Sequence, residues 1–380
     1  MKTLIKAFDE KNPYNNVVVP LSLAFDEVFF IYHNQPDQRR LQACEEVLKK
    51  QRKMKIHFRQ LIDDDAEIDA LLAEYPEMVI DLSTSRYLSI VMLEKVLAQA
   101  NQIVYYDDEE LVIKSYREHR ELTRDIYKLN IKDLLYLHGG KLNENLHKPI
   151  IGKDTIETVF RVVESCADEY SAFLSFVSRI NNLLSHYKEQ DGTYDLDARL
   201  AKQIKSDEGY RRFASLGLFK IEGERLIFAN KELRELFKVS GSFLENYIYH
   251  KLIGTHYFDE VLMSVVIDFS GYERRYPIVC ELDCIALKDN HLLFTSCKSN
   301  KVDSLDLCEI KVHNQMFGNN LSHPVVCTID DLDVKSPAIY AKAKQLEVAV
   351  IDRTAFKQDR LAEYFAAIVD GTYRYESAAD

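Results

Sequence analysis

The sequence predicts an α/β chain in three parts: a doubly wound, Rossmann-like parallel sheet, a helical connector with a winged-helix-like segment, and a mixed C-terminal sheet. Three observations predict it. Short apolar runs alternate with helical stretches over residues 3–107. Long amphipathic stretches then dominate residues 116–190. From Gly241 the order becomes one helix, three strands, then helix–strand twice.

The elements follow from local pattern. TLIKAF reads as a strand, and NNVVVPLSL, lying between two strands, as a helix. EVFFIYH is continuous, aromatic and β-branched, which marks a strand buried on both faces. RRLQACEEVLKKQRK is a helix whose basic residues crowd the C-terminal end, where the dipole favours them. KIHFRQL, EMVIDLS and NQIVYYD are strands, separated by the helices AEIDALLAEY and YLSIVMLEKVLAQA. In such sheets ligands sit at the carboxyl ends of strands. Gly139-Gly140 is a break. EGYRRFASLGLFKIEGERLIFANKELRELFKV reads as a helix, a Gly217 break, two short strands around Glu222-Gly223, and a helix. That order fits a winged-helix module or an irregular bridge equally well. GSFLENYIYHKLIG is a helix and FDEVLMSVVIDFS a strand. PIVCELDCIALKD and HLLFTSCKS form a hairpin across Asp289-Asn290. LDLCEIKVHNQMFG and SPAIYAKAKQLE are helices, PVVCTID and VAVID strands.

Composition narrows the function. At 380 residues the chain exceeds one domain of about 150. Hydrophobic residues at 47% and charged residues at 29% describe a folded globular protein. Lys+Arg 49 against Asp+Glu 61 gives net charge -12, which excludes a general nucleic-acid coat but not a local basic cleft. Seven cysteines form no C-x-x-C pair and no zinc or disulfide framework. The N-terminal residues hold no apolar signal core, and no apolar run nears the ~18 residues of a membrane span. These features lead us to expect a reduced, soluble, cytoplasmic protein without a membrane partner.

One constellation carries chemistry. Glu281 and Asp283 lie two apart on a strand, so both face one way, while Leu282 and Cys284 face the other. Beyond the turn, Ser296 and Lys298 are again two apart. A hairpin would gather two acids and one ammonium, and the preceding helix offers Glu245. Phosphodiester cleavage uses a divalent cation to neutralise phosphoryl charge and activate water. Mg²⁺ or Mn²⁺ prefers carboxylate, carbonyl and water oxygens. A lone Glu-x-Asp is usually a solvated face. On an apolar central strand, a charged set is costly unless it does something.

LENYIY, CELDCIALKDNHLLFTSCKSN and LDLCEIKVHNQMFG together resemble the PD-(D/E)XK nuclease domain of CRISPR-associated ancillary nucleases. These carry an N-terminal CRISPR-associated Rossmann-fold (CARF) sensor. TLIKAFDEKNPYNNVVVPLSLAFDEVFFIYH is similar to its opening strand–helix–strand, and VIDLSTSRYLSIVML to its Asp-Leu-Thr-Gly-Gly loop and helix. IKDLLYLHGGK, just after the sensor, is also similar. The resemblance covers nearly the whole chain and implies residues 1–135 as sensor, 136–238 as connector and 239–380 as nuclease. It implies a homodimer that binds cyclic oligoadenylate, most simply cyclic tetra-adenylate, as allosteric activator. Single-stranded DNA or RNA would then be cut, or duplex DNA nicked, with Mn²⁺ or Mg²⁺.

The resemblance also assigns residues. Asp283 matches the metal-binding Asp, Lys298 the Lys of (D/E)XK, Glu281 the Glu before the Asp, and Glu245 the acid on the leading helix. Ser296 replaces the acid of (D/E)XK, so Glu281 or Glu245 with the Cys297 backbone carbonyl would complete the metal shell. Activator contacts are expected from Asp9, Lys11 and His33 at strand ends, and from Ser83, Thr84, Ser85 and Arg86. Thr84 and Ser85 stand where the family has glycines, which let backbone N–H groups approach phosphate. Hydroxyls and a guanidinium would serve instead, and Ser83–Ser85 would also cap the following helix.

Blander readings stand beside these. Lys49, Lys50, Arg52, Lys53 and Lys55 read as a solvated helix end, since no aromatics interleave them. Asp63, Asp64 and Asp65 read as a turn and a helix start, and Tyr247 and Tyr249 as core. Lys311 and Gln315 face either the scissile phosphate or the solvent. The runner-up function is a catalytically inactive, ligand-responsive DNA-binding regulator. A third places degradation of the activator at Ser83 to Arg86.

Overall fold

The structure, a computed structural model, describes residues 2–62, 64–84, 86–97, 102–143, 151–166, 168–239, 241–269, 279–299, 301–317, 321–357 and 360–375. The chain divides into two compact units, Met1–Leu142 with Ile267–Ile278, and Asn143–Val266 with Val279–Asp380.

In the first unit β1 (Thr3–Ala7), α1 (Asn15–Ser22), β2 (Glu27–Tyr32), α2 (Gln38–Gln51), β3 (Lys55–Gln60), α3 (Asp64–Glu74), β4 (Val79–Asp81), α4 (Arg86–Val96) and β5 (Ile103–Asp107) alternate as expected. β6 (Val112–Ser115), β7 (Glu121–Thr123), α5 (Ile131–Leu137) and β8 (Lys141–Leu142) follow. The main sheet runs β3-β2-β1-β4-β5-β6-β7. Its first five strands are parallel, and β6 and β7 add antiparallel. β1 and β2 are buried throughout, which explains their continuous apolar runs. The strand order reverses between β1 and β4, and such a switch point opens a crevice at the carboxyl ends of the strands.

The second unit opens with α6 (Lys153–Ser165) and α7 (Tyr170–Leu184). β9 (Glu189–Gln190), β10 (Thr193–Asp195), α8 (Ala198–Ser206), α9 (Glu208–Ala214), β11 (Phe219–Glu222), β12 (Arg225–Phe228) and α10 (Lys231–Lys238) come next. A small sheet ordered β11-β12-β10-β9 packs there. Its core is a set of phenylalanine rings, Phe173, Phe176, Phe213, Phe219 and Phe237, in edge and tilted contacts. The mostly helical stretch expected over 116–190 also holds β7, β8 and β9, strands of two or three residues. Runs that short show no readable period.

The remainder is α11 (Ser242–Gly254), β13 (Glu260–Asp268), β14 (Val279–Lys288), β15 (His291–Lys298), α12 (Ser304–Met316), β16 (Ser322–Thr328), α13 (Leu332–Lys335), α14 (Pro337–Gln345), β17 (Ala349–Ile351), α15 (Arg353–Lys357) and α16 (Leu361–Val369). The mixed sheet runs β17-β16-β15-β14-β13-β8. The last residues of β13 pair with β8 inside the first unit, Ile267 opposite Leu142 and Asp268 opposite Lys141. β14 and β15 pair antiparallel from Cys284 opposite Thr295 to Lys288 opposite His291. Asp289 (φ 49) and Asn290 (φ 67) are both left-handed, the geometry of a two-residue type I′ turn. β16 and β17 add in parallel. All seven cysteines are free. No helix among the described residues is long and apolar enough to cross a membrane.

Candidate functional site

The hairpin β14–β15 places its charged residues as the alternation requires. Along β14 Leu282 and Cys284 are buried, whereas Glu281 is exposed and Asp283 half-buried. β15 lies in the interior of the sheet, with Thr295 buried and Ser296 and Lys298 half-buried. A cavity of about 180 Å³ gathers Glu281, Asp283, Ser296 and Lys298. The Cys297 N–H donates to Asp283 Oδ2 at 2.6 Å, which fixes that carboxylate against the neighbouring strand. Lys298 Nζ lies 2.9 Å from Asp306 Oδ1. Burial alone would lower the Lys298 pKa. Asp306, with Asp283 and Glu309 nearby, outweighs it and holds the ammonium above its ordinary value.

α12 supplies the residues that sequence reasoning missed. Glu309, Ile310 and His313 line the same cavity. Glu309 and His313 are four apart, so they share a helix face. The helix start is locked by a capping box between Asp303 and Asp306, and Asp306 also holds Lys298. The D-x-x-D before an apolar helical run was the available signal. Lys311 does not line the cavity; it pairs with Glu347 at 3.2 Å. Gln315 is likewise absent from the lining.

Glu245 is buried on α11 and does not line this cavity. Gly241 makes room for it, since a Cβ there would lie 3.2 Å from Glu245 Oε1 and 3.9 Å from Ser299 Oγ. Tyr247 and Tyr249 are core residues, Tyr247 stacking on Phe356. The carboxylates of Glu281, Asp283 and Glu309 are oxygen donors of the kind Mg²⁺ and Mn²⁺ prefer. Among the described residues, the one trio of ligand atoms mutually within 4.8 Å is elsewhere, at Asp331, Asp333 and Asp352. Glu281 and Glu309 are exposed.

The second set of expected residues lies at the carboxyl edge of the first sheet. Lys6 of β1 and Asp81 of β4 are register partners, fully buried, with Lys6 Nζ 2.6 Å from Asp81 Oδ2. Lys6 also donates to the Asn15 carbonyl. Asp81 Oδ1 accepts the Ser83 N–H at 2.8 Å and the Ser83 hydroxyl. Ser83 Oγ in turn accepts the Tyr106 N–H at 2.8 Å. Thr84 is buried and donates its hydroxyl to the Ala7 carbonyl at 2.7 Å. Both hydroxyls thus make hydrogen bonds inside the fold. Ser85 and the side chain of Arg86 lie outside the described residues. Asp9 spends its carboxylate on the N–H groups of Lys11 (2.9 Å) and Asn12 (2.8 Å), leaving Lys11 exposed. His33 follows β2, its ring centroid 5.4 Å from that of Tyr87. The basic end of α2 is consumed in ion pairs, Lys49 with Glu45 and Lys50 with Asp133.

No family model and no curated protein matches the chain. Two solved structures share its fold over nearly the whole length. Protein VC1899 from Vibrio cholerae is 17% identical, with a TM-score of 0.78 over 96% of this chain and 98% of that one. Can2 from Sulfobacillus thermosulfidooxidans, in complex with cyclic tetra-adenylate, is 14% identical, with a TM-score of 0.74 over 97% and 99%.

Proposed function

We propose that this chain is a CRISPR-associated ancillary nuclease, switched on by cyclic oligoadenylate and cutting nucleic acid at the β14–β15 hairpin. The observation that carries the reading is the cavity joining Glu281, Asp283, Ser296 and Lys298, on a chain with the full-length fold of a protein solved with cyclic tetra-adenylate. In this reading residues 1–135 sense, 136–238 connect and 239–380 cut. A bound Mg²⁺ or Mn²⁺ would neutralise charge on the phosphoryl oxygens and lower the pKa of the attacking water. Asp283 and Glu281, with the Cys297 carbonyl, would hold that cation, and Glu245, which does not line the cavity, would reach it only through a water. Lys298 stays protonated at neutral pH, because its pKa is raised. It therefore does not take a proton from water; it orients the water and stabilises charge as the phosphate is attacked. Ser296 flanks the site as a hydroxyl.

The activator, cyclic tetra-adenylate, sits at the switch point between β1 and β4. Asp9, Lys11, His33 and the Ser83–Arg86 loop surround it. Since Ser83 and Thr84 spend their hydroxyls internally, and Ser83 also its N–H on Asp81, the contacts in this reading fall to the rest of the loop. A ring of two-fold symmetry fits a homodimer. Tyr87, Ile90 and Leu97, directly after the loop, are 62%, 55% and 50% exposed, an apolar surface that supports such pairing.

The test is a cleavage time course on labelled single-stranded DNA, single-stranded RNA and supercoiled plasmid. Each is run with Mn²⁺, with and without cyclic tetra-adenylate. Cleavage that needs the activator, and falls at least about 100-fold in Asp283→Asn and Lys298→Ala, is expected. Full activity in either variant overturns the assignment.

A further inference from the structure

Ser296 leaves the hairpin one acid short, because a neutral hydroxyl is a poor substitute for a carboxylate at a hard divalent cation. The cavity supplies another acid from a different element. Glu309 lines it from α12, together with Ile310 and His313. The helix is anchored at its start and along its inner side. Leu307 and Ile310 bury its inner side, and the Asp303–Asp306 capping box fixes its start. Asp306 ties that first turn to Lys298 on β15. Glu309 is exposed, and among the described ion pairs none includes it, so its carboxylate is available. Its charge is felt at Lys298 and His313, both of which line the cavity.

We propose that Glu309 supplies the carboxylate that Ser296 lacks, acting with Asp283 and Glu281 as a ligand of the divalent cation. The acid has moved from the strand to the facing helix while the Lys has stayed on the strand. This inference rests on the nuclease reading, and its test separates the two. Mn²⁺ is titrated into the full chain, and the free aquo-ion is followed by electron paramagnetic resonance. Wild type, Asp283→Asn, Glu309→Gln and the double change Ser296→Glu with Glu309→Gln are compared, and thermal melting without metal confirms that each is folded. Glu309→Gln is expected to weaken Mn²⁺ binding about tenfold or more, and Ser296→Glu to restore it. Cleavage in the presence of cyclic tetra-adenylate should fall and recover in parallel. If Asp283→Asn weakens binding and Glu309→Gln does not, the inference is overturned and the nuclease reading stands. If neither variant changes Mn²⁺ binding, the metal site itself is misplaced and both are overturned.

Discussion

Asp352 shows how a single carboxylate reports its surroundings. Burial, reinforced by Asp333 and Asp331, pushes its pKa up to about 6, against a partial offset from the Thr354 N–H. The folded chain therefore holds a proton there between about pH 4 and 6 that the unfolded chain has released. Stability falls as pH rises through that window. Asp352→Asn keeps an acceptor for Thr354 and removes the charge. It should stabilise the protein at pH 7 by on the order of 1–2 kcal/mol and change little below pH 4. Equal effects at both pH values, read by urea denaturation, would contradict the argument. Lys298 obeys the opposite arithmetic. The acids around it raise its pKa, so its ammonium persists through the neutral range and no alkaline limb near pH 7 should come from it.

At the scale of the element, the β4–α4 junction is organised by a charge pair with no access to water. Lys6 and Asp81 are both 0% exposed. Removing one partner leaves the other buried and uncompensated, which costs about 3–5 kcal/mol. Asp81→Ala alone should therefore lower the urea midpoint sharply. Lys6→Met combined with Asp81→Leu should recover much of that stability, since apolar packing often replaces a buried pair without loss. It also deprives Ser83 of its acceptor. If the first unit senses cyclic tetra-adenylate as proposed, its binding should then stay weak although the fold is restored. Wild-type binding in the double variant would mean that the pair supports the sheet and not the loop.

At the scale of the molecule, the chain leaves its first unit at Leu142 and returns to it at Ile267. The described residues of the returning segment, 267–269, pack into that unit. Ile267 is fully buried, Arg39 donates to the Phe269 carbonyl at 3.2 Å, and Gly140 lies beneath both side chains. A Cβ on Gly140 would sit 2.5 Å from Ile267 Cγ2 and 2.9 Å from Phe269 Cε1. Gly140→Ala is thus an overpacking change, expected to destabilise by roughly 1–3 kcal/mol. Thermal melting checks it, and an unchanged midpoint would mean that the returning strand yields freely.

The sequence by itself determined the elements whose pattern is local. Alternating runs located β1 to β5, Asp289-Asn290 announced the I′ turn, and two-residue spacing put Glu281 with Asp283. Such patterns work because side-chain direction repeats every 2 or 3.6 residues along one element. Short strands such as β9 escaped because two residues carry no period. Only the tertiary structure decided which face of α12 met the hairpin, bringing Glu309 and His313 to the cavity while Lys311 turned to Glu347. It also decided that Glu245 does not line that cavity, and that Ser83 and Thr84 bond inward. These outcomes depend on packing between elements far apart in the chain, where burial and hydrogen-bond satisfaction choose among faces that the sequence leaves equivalent.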